Sequence, residues 1–489
     1  MATILLRNAR LIGTQTLSDL LIDRGRISAL TPAGFAPKAT AKAIDLEGRV
    51  VMPGLWDEHV HFTQWVTMRA RFDIAGAGSA AEVLVRVREE VAANRGDGQL
   101  TGYGFRDATW PDAPSLAGLD AVTGERPVVV ISGDLHCAWV NSAAARLMRV
   151  SVDATGLLRE GDWFNIPAEL RDGGTPPPAS FAAAAEAAAQ RGVVGIVDFE
   201  NTDNLAEWPE RVAAGVDRLR VEASVWPDRL EGAIQAGLRT GDPLESRGLV
   251  TMGHLKVVVD GSLNTRTAWC WDPYPGLDPH HAHACGVVTV APSELRRLIV
   301  RACAAGIAPA VHAIGDRANF EVIELFAQLG ITGRIEHAQF VRAGDFARFG
   351  ELGLVASVQP EHAMDDRDVA DRYWAGRTDR AFAFGSLYQG GATLRLGSDA
   401  PVAPLDPWLG IAAATSRSRA GREAWHPQQR LPLPVVLAAS ARGRSDVAVG
   451  DVADLVVLDA DPYLAEPELL RRLPVAATLL AGRFTWRGF

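Results

Sequence analysis

The chain has 489 residues, 48% hydrophobic and 22% charged, with 47 Gly and 28 Pro. That composition excludes disordered, collagen-like and mucin-like chains, and at roughly 150 residues per domain the length predicts about three domains or one large barrel with additions. The 49 Lys and Arg against 59 Asp and Glu give a formal net charge of -10. With no basic run, nucleic acid and anionic membrane are not expected as partners, and a small-molecule substrate is.

Cys137, Cys270, Cys285 and Cys303 form no CxxC pair, which fits a reducing compartment. The opening apolar stretch Ile4 to Leu6 is broken at once by Arg7 and Asn8, too short for a signal-peptide core. No stretch approaches the roughly 18 apolar residues of a membrane span. A soluble, cytoplasmic protein is expected, and a homo-oligomer is left open.

The first fifty residues read as short strands and turns: Thr3 to Leu6, Leu20 to Ile22, a hairpin signal at Asp23-Arg24-Gly25-Arg26, then Ile27 to Leu30. The last forty read alike, with strands at Asp454 to Asp459 and Val475 to Leu480 and a turn into Phe484-Thr485-Trp486. The two ends are expected to pair. Between them lie eight apolar runs: Val50 to Leu55, Val193 to Phe199, Leu219 to Trp226, His254 to Asp260, Ile307 to His312, Gly333 to His337, Leu354 to Val358 and Thr393 to Gly397. Helical patterns such as Ser293 to Ala305 and Asn319 to Leu329 separate them, which predicts a parallel (β/α)8 barrel, a TIM barrel of the α/β class. The expected division is a composite β-sandwich from 1–52 and 446–489 and a barrel over 53–445. An insertion at about 67–178, with its own strand Pro127 to Ser132, is expected over the barrel mouth.

Polar residues gather at the C-terminal ends of these runs, the face on which barrel enzymes place their chemistry. His59 and His61 are two apart, so on an extended strand both imidazoles point the same way and can hold one ion. His312 and His337 end the fifth and sixth runs. A single histidine there is ordinarily a satisfied core residue, but two at equivalent positions beside an HxH are hard to explain by packing. Asp399 ends the eighth run, where a carboxylate can bind metal and accept a proton from water, or simply cap a turn. Lys256 interrupts an apolar strand, where an unpaired ammonium is costly. A neutral lysine there can form a carbamate that bridges two ions; the alternative is a pair with Asp260. His254, on the same face, reads as a core or supporting residue. His280, His281 and His283 lie in a Pro- and Gly-bounded loop and read as solvated.

The run Pro53-Gly54-Leu55-Trp56-Asp57-Glu58-His59-Val60-His61 resembles the PGxxDxHxH signature of the amidohydrolase superfamily. Lys256 to Thr267, Val311 to Asn319, Arg334 to Gln339, Ser357 to His362 and Gly397 to Val402 are similar to its YtcJ-like branch, nearly end to end and in order. The resemblance implies a metal-dependent amidohydrolase with His59, His61, Lys256, His312, His337 and Asp399 as ligands. It also implies a binuclear centre, zinc by default, bridged by carboxylated Lys256. Asn264-Thr265 departs from the small pair usual in that branch, and Ser440 to Gly450 is shorter than usual.

These readings converge on hydrolysis of an amide or related C–N or C–O bond by metal-activated hydroxide. Asp399 acts as general base and then acid, with His337 and His312 beside the developing oxyanion. Rival readings are a single-metal hydrolase with unmodified Lys256, a non-hydrolytic isomerase or decarboxylase, and a catalytically silent binding protein. Expected substrate contacts are His136 in the insertion, Arg266, Trp269 and Trp271 after Lys256, and Gln359 with His362 after the seventh run.

Overall fold

A computed structural model describes residues 3–36, 42–94, 96–105, 107, 110–132, 137–159, 161–167, 170 and 176–489. Its central feature is a sheet of eight parallel strands: β1 (Leu55–Val60), β2 (Val193–Asp198), β3 (Arg220–Val225), β4 (Val250–Val258), β5 (Pro309–Ala313), β6 (Arg334–His337), β7 (Val355–Val358) and β8 (Thr393–Leu396). They pair in chain order, and a parallel bridge from Val60 to Ala400 joins the first strand to the end of the last, closing the sheet into a (β/α)8 barrel. Both faces of such a sheet are covered, so the strands read as near-continuous apolar runs rather than alternating ones. Thus β2 is buried at all six positions and β7 at its last three.

The eight expected strands are present, with two shifts of boundary: the fourth runs Val250–Val258 rather than His254 to Asp260, and the first run is divided. The run Val50 to Leu55 divides at Gly54: Val50–Pro53 belongs to the sheet of the two termini and Leu55–Val60 to the barrel. Gly54 makes the junction because a Cβ there would lie 2.4 Å from Val194 Cγ1. His59 therefore lies within β1 rather than after it.

The two ends of the chain meet in an eight-stranded sheet. Its order is Arg483–Arg487, Val475–Leu480, Leu455–Leu458, Val50–Pro53, Ile4–Leu11, Leu17–Asp23 and Arg26–Pro32, with Lys42–Asp45 also paired to Ile4–Leu11. Leu455–Leu458 runs antiparallel to Val50–Pro53, Leu455 opposite Pro53. This composite sheet wraps a separate core that includes Leu6, Leu20, Ile22, Leu455, Val457 and Leu479.

Residues 63–181 form a second compact unit. It has a five-stranded sheet in the order Leu157–Arg159, Cys137–Val140, Val128–Ser132, Leu100–Phe105 and Phe72–Asp73. Helices Ala80–Ala93, Leu116–Thr123 and Ser142–Met148 accompany it, each capped at its N-terminus by the side chain of Ser79, Ser115 or Asn141. Among the described residues, no helix is long and apolar enough to cross a membrane.

Candidate metal centre

β1 carries His59 into the barrel, and β8 delivers Asp399 beside it. Gly397 permits that approach, since a Cβ there would stand 2.7 Å from the His59 amide nitrogen. Two backbone bonds lock the ends together: Asp399 N–H donates to His59 O at 2.8 Å, and His61 N–H to Ala400 O at 2.8 Å. The Asp57 carboxylate adds a third tie, accepting from the Ser398 amide at 2.8 Å and the His59 amide at 3.2 Å. Burial raises the Asp57 pKa to about 7.

Asp399 Oδ1 lies 3.3 Å from His61 Nε2 and 3.6 Å from His59 Nε2. One donor atom from each of the three lies within 4.8 Å of the others, a spacing that can hold an ion. His59 is fully buried and its Nδ1 sits 2.6 Å from Glu336 Oε2, also fully buried. Nδ1–H therefore donates to the carboxylate and Nε2 keeps its lone pair, the orientation a metal ligand requires. Lys256 Nζ, 3.1 Å away, donates to that same Nε2. Burial and the nearby Lys256 lower the His59 pKa to about 4, so the ring is neutral. Burial opposes ionisation of Asp399, but His59, His61 and His337 hold its pKa well below the usual carboxylate range.

Lys256 is 1% exposed and rests 4.4 Å over the Phe199 ring. Burial lowers its pKa to about 8. It does not pair with Asp260, whose carboxylate is occupied by the amides of Trp269 (2.8 Å), Ile314 (3.0 Å) and Gly315 (2.8 Å). His312 and His337 face each other with ring centroids 4.4 Å apart, and His337 lies 4.8 Å from His59. His312 Nε2 is 3.4 Å from Asp260 Oδ1 and from the Gly261 carbonyl. His337 Nδ1 is held by Gln359 Oε1 at 2.9 Å. Burial and the nearby His312 and His59 keep the His337 pKa well below its ordinary value. His337 and Asp399 both adopt positive φ, 74° and 58°, a costly backbone state for these residues that concentrates at functional sites.

All six expected ligands thus converge on one end of the barrel. Three neighbours carry the arrangement without having been assigned a role from sequence: Glu336, Arg334 and Glu58. Arg334 Nε donates to Glu336 Oε1 at 2.9 Å and Nη1 to Glu58 Oε2 at 2.8 Å, while Arg442 reaches Glu58 Oε1 at 2.9 Å. The only hint in the sequence was charge alternating with apolar residues in Arg334-Ile335-Glu336-His337.

The other expected contacts are more dispersed. His136 lies outside the described residues. Gln359 and His362 are buried beside His337, and His362 forms a second possible ion-binding group with His337 and Asp399. Arg266 lies 5.6 Å over Tyr373. Trp269 is buried in the main core, and the cation between it and Trp271 is Arg317, 4.6 and 4.7 Å from their rings, rather than Arg266. Trp269 also lines a cavity of about 250 Å³ with Pro292, Leu295, Glu321 and Leu325. His280, His281 and His283 are exposed.

A (β/α)8 barrel of the amidohydrolase kind, with histidines and a carboxylate spaced to hold an ion, is the class that this fold and site define, and residues 42–486 match the amidohydrolase family model. The chain belongs to that family. It is 26% identical to the putative amidohydrolase YtcJ of Bacillus subtilis, over 91% of this chain and 90% of that one. It is 25% identical to the N-substituted formamide deformylase of Arthrobacter pascens, over 95% and 94%. In fold it resembles an uncharacterized metal-dependent hydrolase from Pyrococcus horikoshii, with a TM-score of 0.81 and 24% identity over 96% of this chain and 99% of that one.

Proposed function

We propose that this protein hydrolyses an amide, or a related C–N or C–O bond, of a small molecule in a centre of two divalent ions. The observation that carries the reading is the cluster of His59, His61 and Asp399 donor atoms within 4.8 Å, with the neutral His59 imidazole and His61 facing one ionised carboxylate in a buried site. His59, His61 and Asp399 would hold one ion, and His312 with His337 the other. Carboxylated Lys256 would bridge them. Its burial and lowered pKa support a neutral amine able to take up carbon dioxide. Histidine and carboxylate donors suit zinc first, then iron or manganese. When bound, such ions lower the pKa of water from about 15.7 to about 7 and polarise the substrate oxygen.

The protein's own groups supply the proton path. Asp399, ionised at neutral pH, takes the proton from the attacking water as oxygen adds to the carbonyl carbon. It returns that proton to the leaving nitrogen as the C–N bond breaks. His312 and His337, fixed by Gly261 and Gln359, stand where preorganised polarity can stabilise the oxyanion. The similarity to a formamide deformylase supports N-acyl and N-formyl compounds as the first substrates to try. On the composition argument we place the enzyme in the cytoplasm.

The test is a screen of N-substituted formamides, N-acyl amino acids, cyclic amides and esters with metal-loaded enzyme in oxygen-18 water. Label in the carboxylate product is the expected result. Turnover without label would replace hydrolysis by isomerisation or decarboxylation, and a purified protein that takes up no divalent ion would remove the reading altogether.

A further inference from the structure

Three imidazoles of this site share one pattern. In His59, His337 and His362 the Nδ1 atom faces a buried side chain that is not itself a ligand: Glu336 at 2.6 Å, Gln359 at 2.9 Å and Gln339 at 3.5 Å. For His59 and His337 the partner atom is a carboxylate or amide oxygen, which places the proton on Nδ1 and the lone pair on Nε2. His362 differs only in that the Gln339 amide nitrogen is the atom facing it. Gln339 Oε1 and His362 Nε2 are both left buried without a hydrogen-bond partner. The two ends of a glutamine amide are assigned from their surroundings rather than from shape. Turning the Gln339 amide over lets Oε1 accept the Nδ1–H of His362 and frees the His362 Nε2 lone pair, with the amide nitrogen taking the buried position that Oε1 held.

His362 is 4% exposed and sits in the first turn of the helix Pro360–Tyr373, immediately after β7. It offers a nitrogen within 4.8 Å of donor atoms from His337 and Asp399, all three of them buried. From this geometry we infer that His362 Nε2 is a ligand of the second ion together with His337, and that Asp399 faces both ion sites. This inference rests on the two-ion reading above and adds a protein ligand that the strand-end pattern does not predict, because His362 belongs to a helix.

The test is ion content by elemental analysis and zinc retention against a competing chelator, in wild type and in H362Q and H362N. The expected result is two ions in wild type, and in both variants loss of one ion or at least a tenfold weakening of one binding step, with the other unchanged. Cobalt(II)-loaded H362Q should also show a changed visible absorption band. Far-ultraviolet circular dichroism of the ion-free variants checks the fold, and Q339L, which keeps His362 but removes its partner, should weaken the same step by less. Two ions held with wild-type affinity and an unchanged cobalt spectrum in H362Q would overturn the inference while leaving the hydrolase reading intact. A wild-type protein that binds a single ion would overturn it too, whereas one that binds none would overturn both.

Discussion

The Nδ1 of His59 and the Oε2 of Glu336 lie 2.6 Å apart, and neither side chain reaches solvent. One residue comes from β1 and the other from β6, 277 positions later in the chain. Their contact fixes the ring of His59 and sets which nitrogen faces the candidate ion site.

Replacing Glu336 by Gln should therefore act on metal affinity before it acts on folding. Loss of the carboxylate partner of a ligating histidine typically costs 10- to 100-fold in affinity. Chelator competition at fixed pH measures it, and wild-type affinity in E336Q would show that the contact does not orient His59.

Asp399→Asn keeps the shape of the strand end but removes the proton acceptor. Turnover at saturating metal should fall by about 10²- to 10⁴-fold, the range of general acid–base contributions, and His59→Ala should abolish it. Asp399→Asn should keep a cooperative thermal transition close to that of wild type without metal, whereas His59→Ala should lower it, because it leaves the buried Glu336 Oε2 without its partner. Wild-type rates in D399N would rule out the assigned role.

Lys256 provides a pH dependence. Its folded pKa of about 8 means that the neutral amine needed for a carbamate dominates above that pH and falls about tenfold per unit below it. Reconstitution of ion-free enzyme with zinc and labelled bicarbonate should be faster at pH 8.5 than at pH 6.5, with a carbamate carbon signal that K256M lacks. The sign for stability follows from linkage. Between about 8 and the unfolded lysine value of about 10.4 the unfolded chain binds more protons than the folded one, so the ion-free fold gains stability as pH rises through that window. A loss of stability there, relative to K256M, would contradict the lowered pKa of the buried amine.

Arg334 joins Glu58 and Glu336, which are 1% and 0% exposed. Arg334→Met leaves two buried carboxylates short of a partner, and breaking such a network from one side costs about 3–5 kcal/mol. Urea unfolding of the ion-free protein checks this, and a loss below about 1 kcal/mol would mean that Arg442 and relaxation compensate.

The sequence by itself determined the barrel and the strand-end positions of the candidate ligands. Its eight apolar runs carry their own period and boundaries, and His59, His61, His312, His337, Lys256 and Asp399 stand at positions where backbone direction alone says what faces inward. The pairing of the two chain ends was equally local, resting on short strands that need partners. Only the tertiary structure decided the split of Val50 to Leu55 between two sheets, because Gly54 is required by Val194, a residue 140 positions away. The same holds for the Arg334–Glu336–His59 relay, for Arg317 between the two tryptophans in place of Arg266, and for the buried Nε2 of His362. These depend on which side chains from distant strands and helices share one desolvated volume. Hydrogen bonding and burial there are set by neighbours in space, which no spacing along the chain encodes.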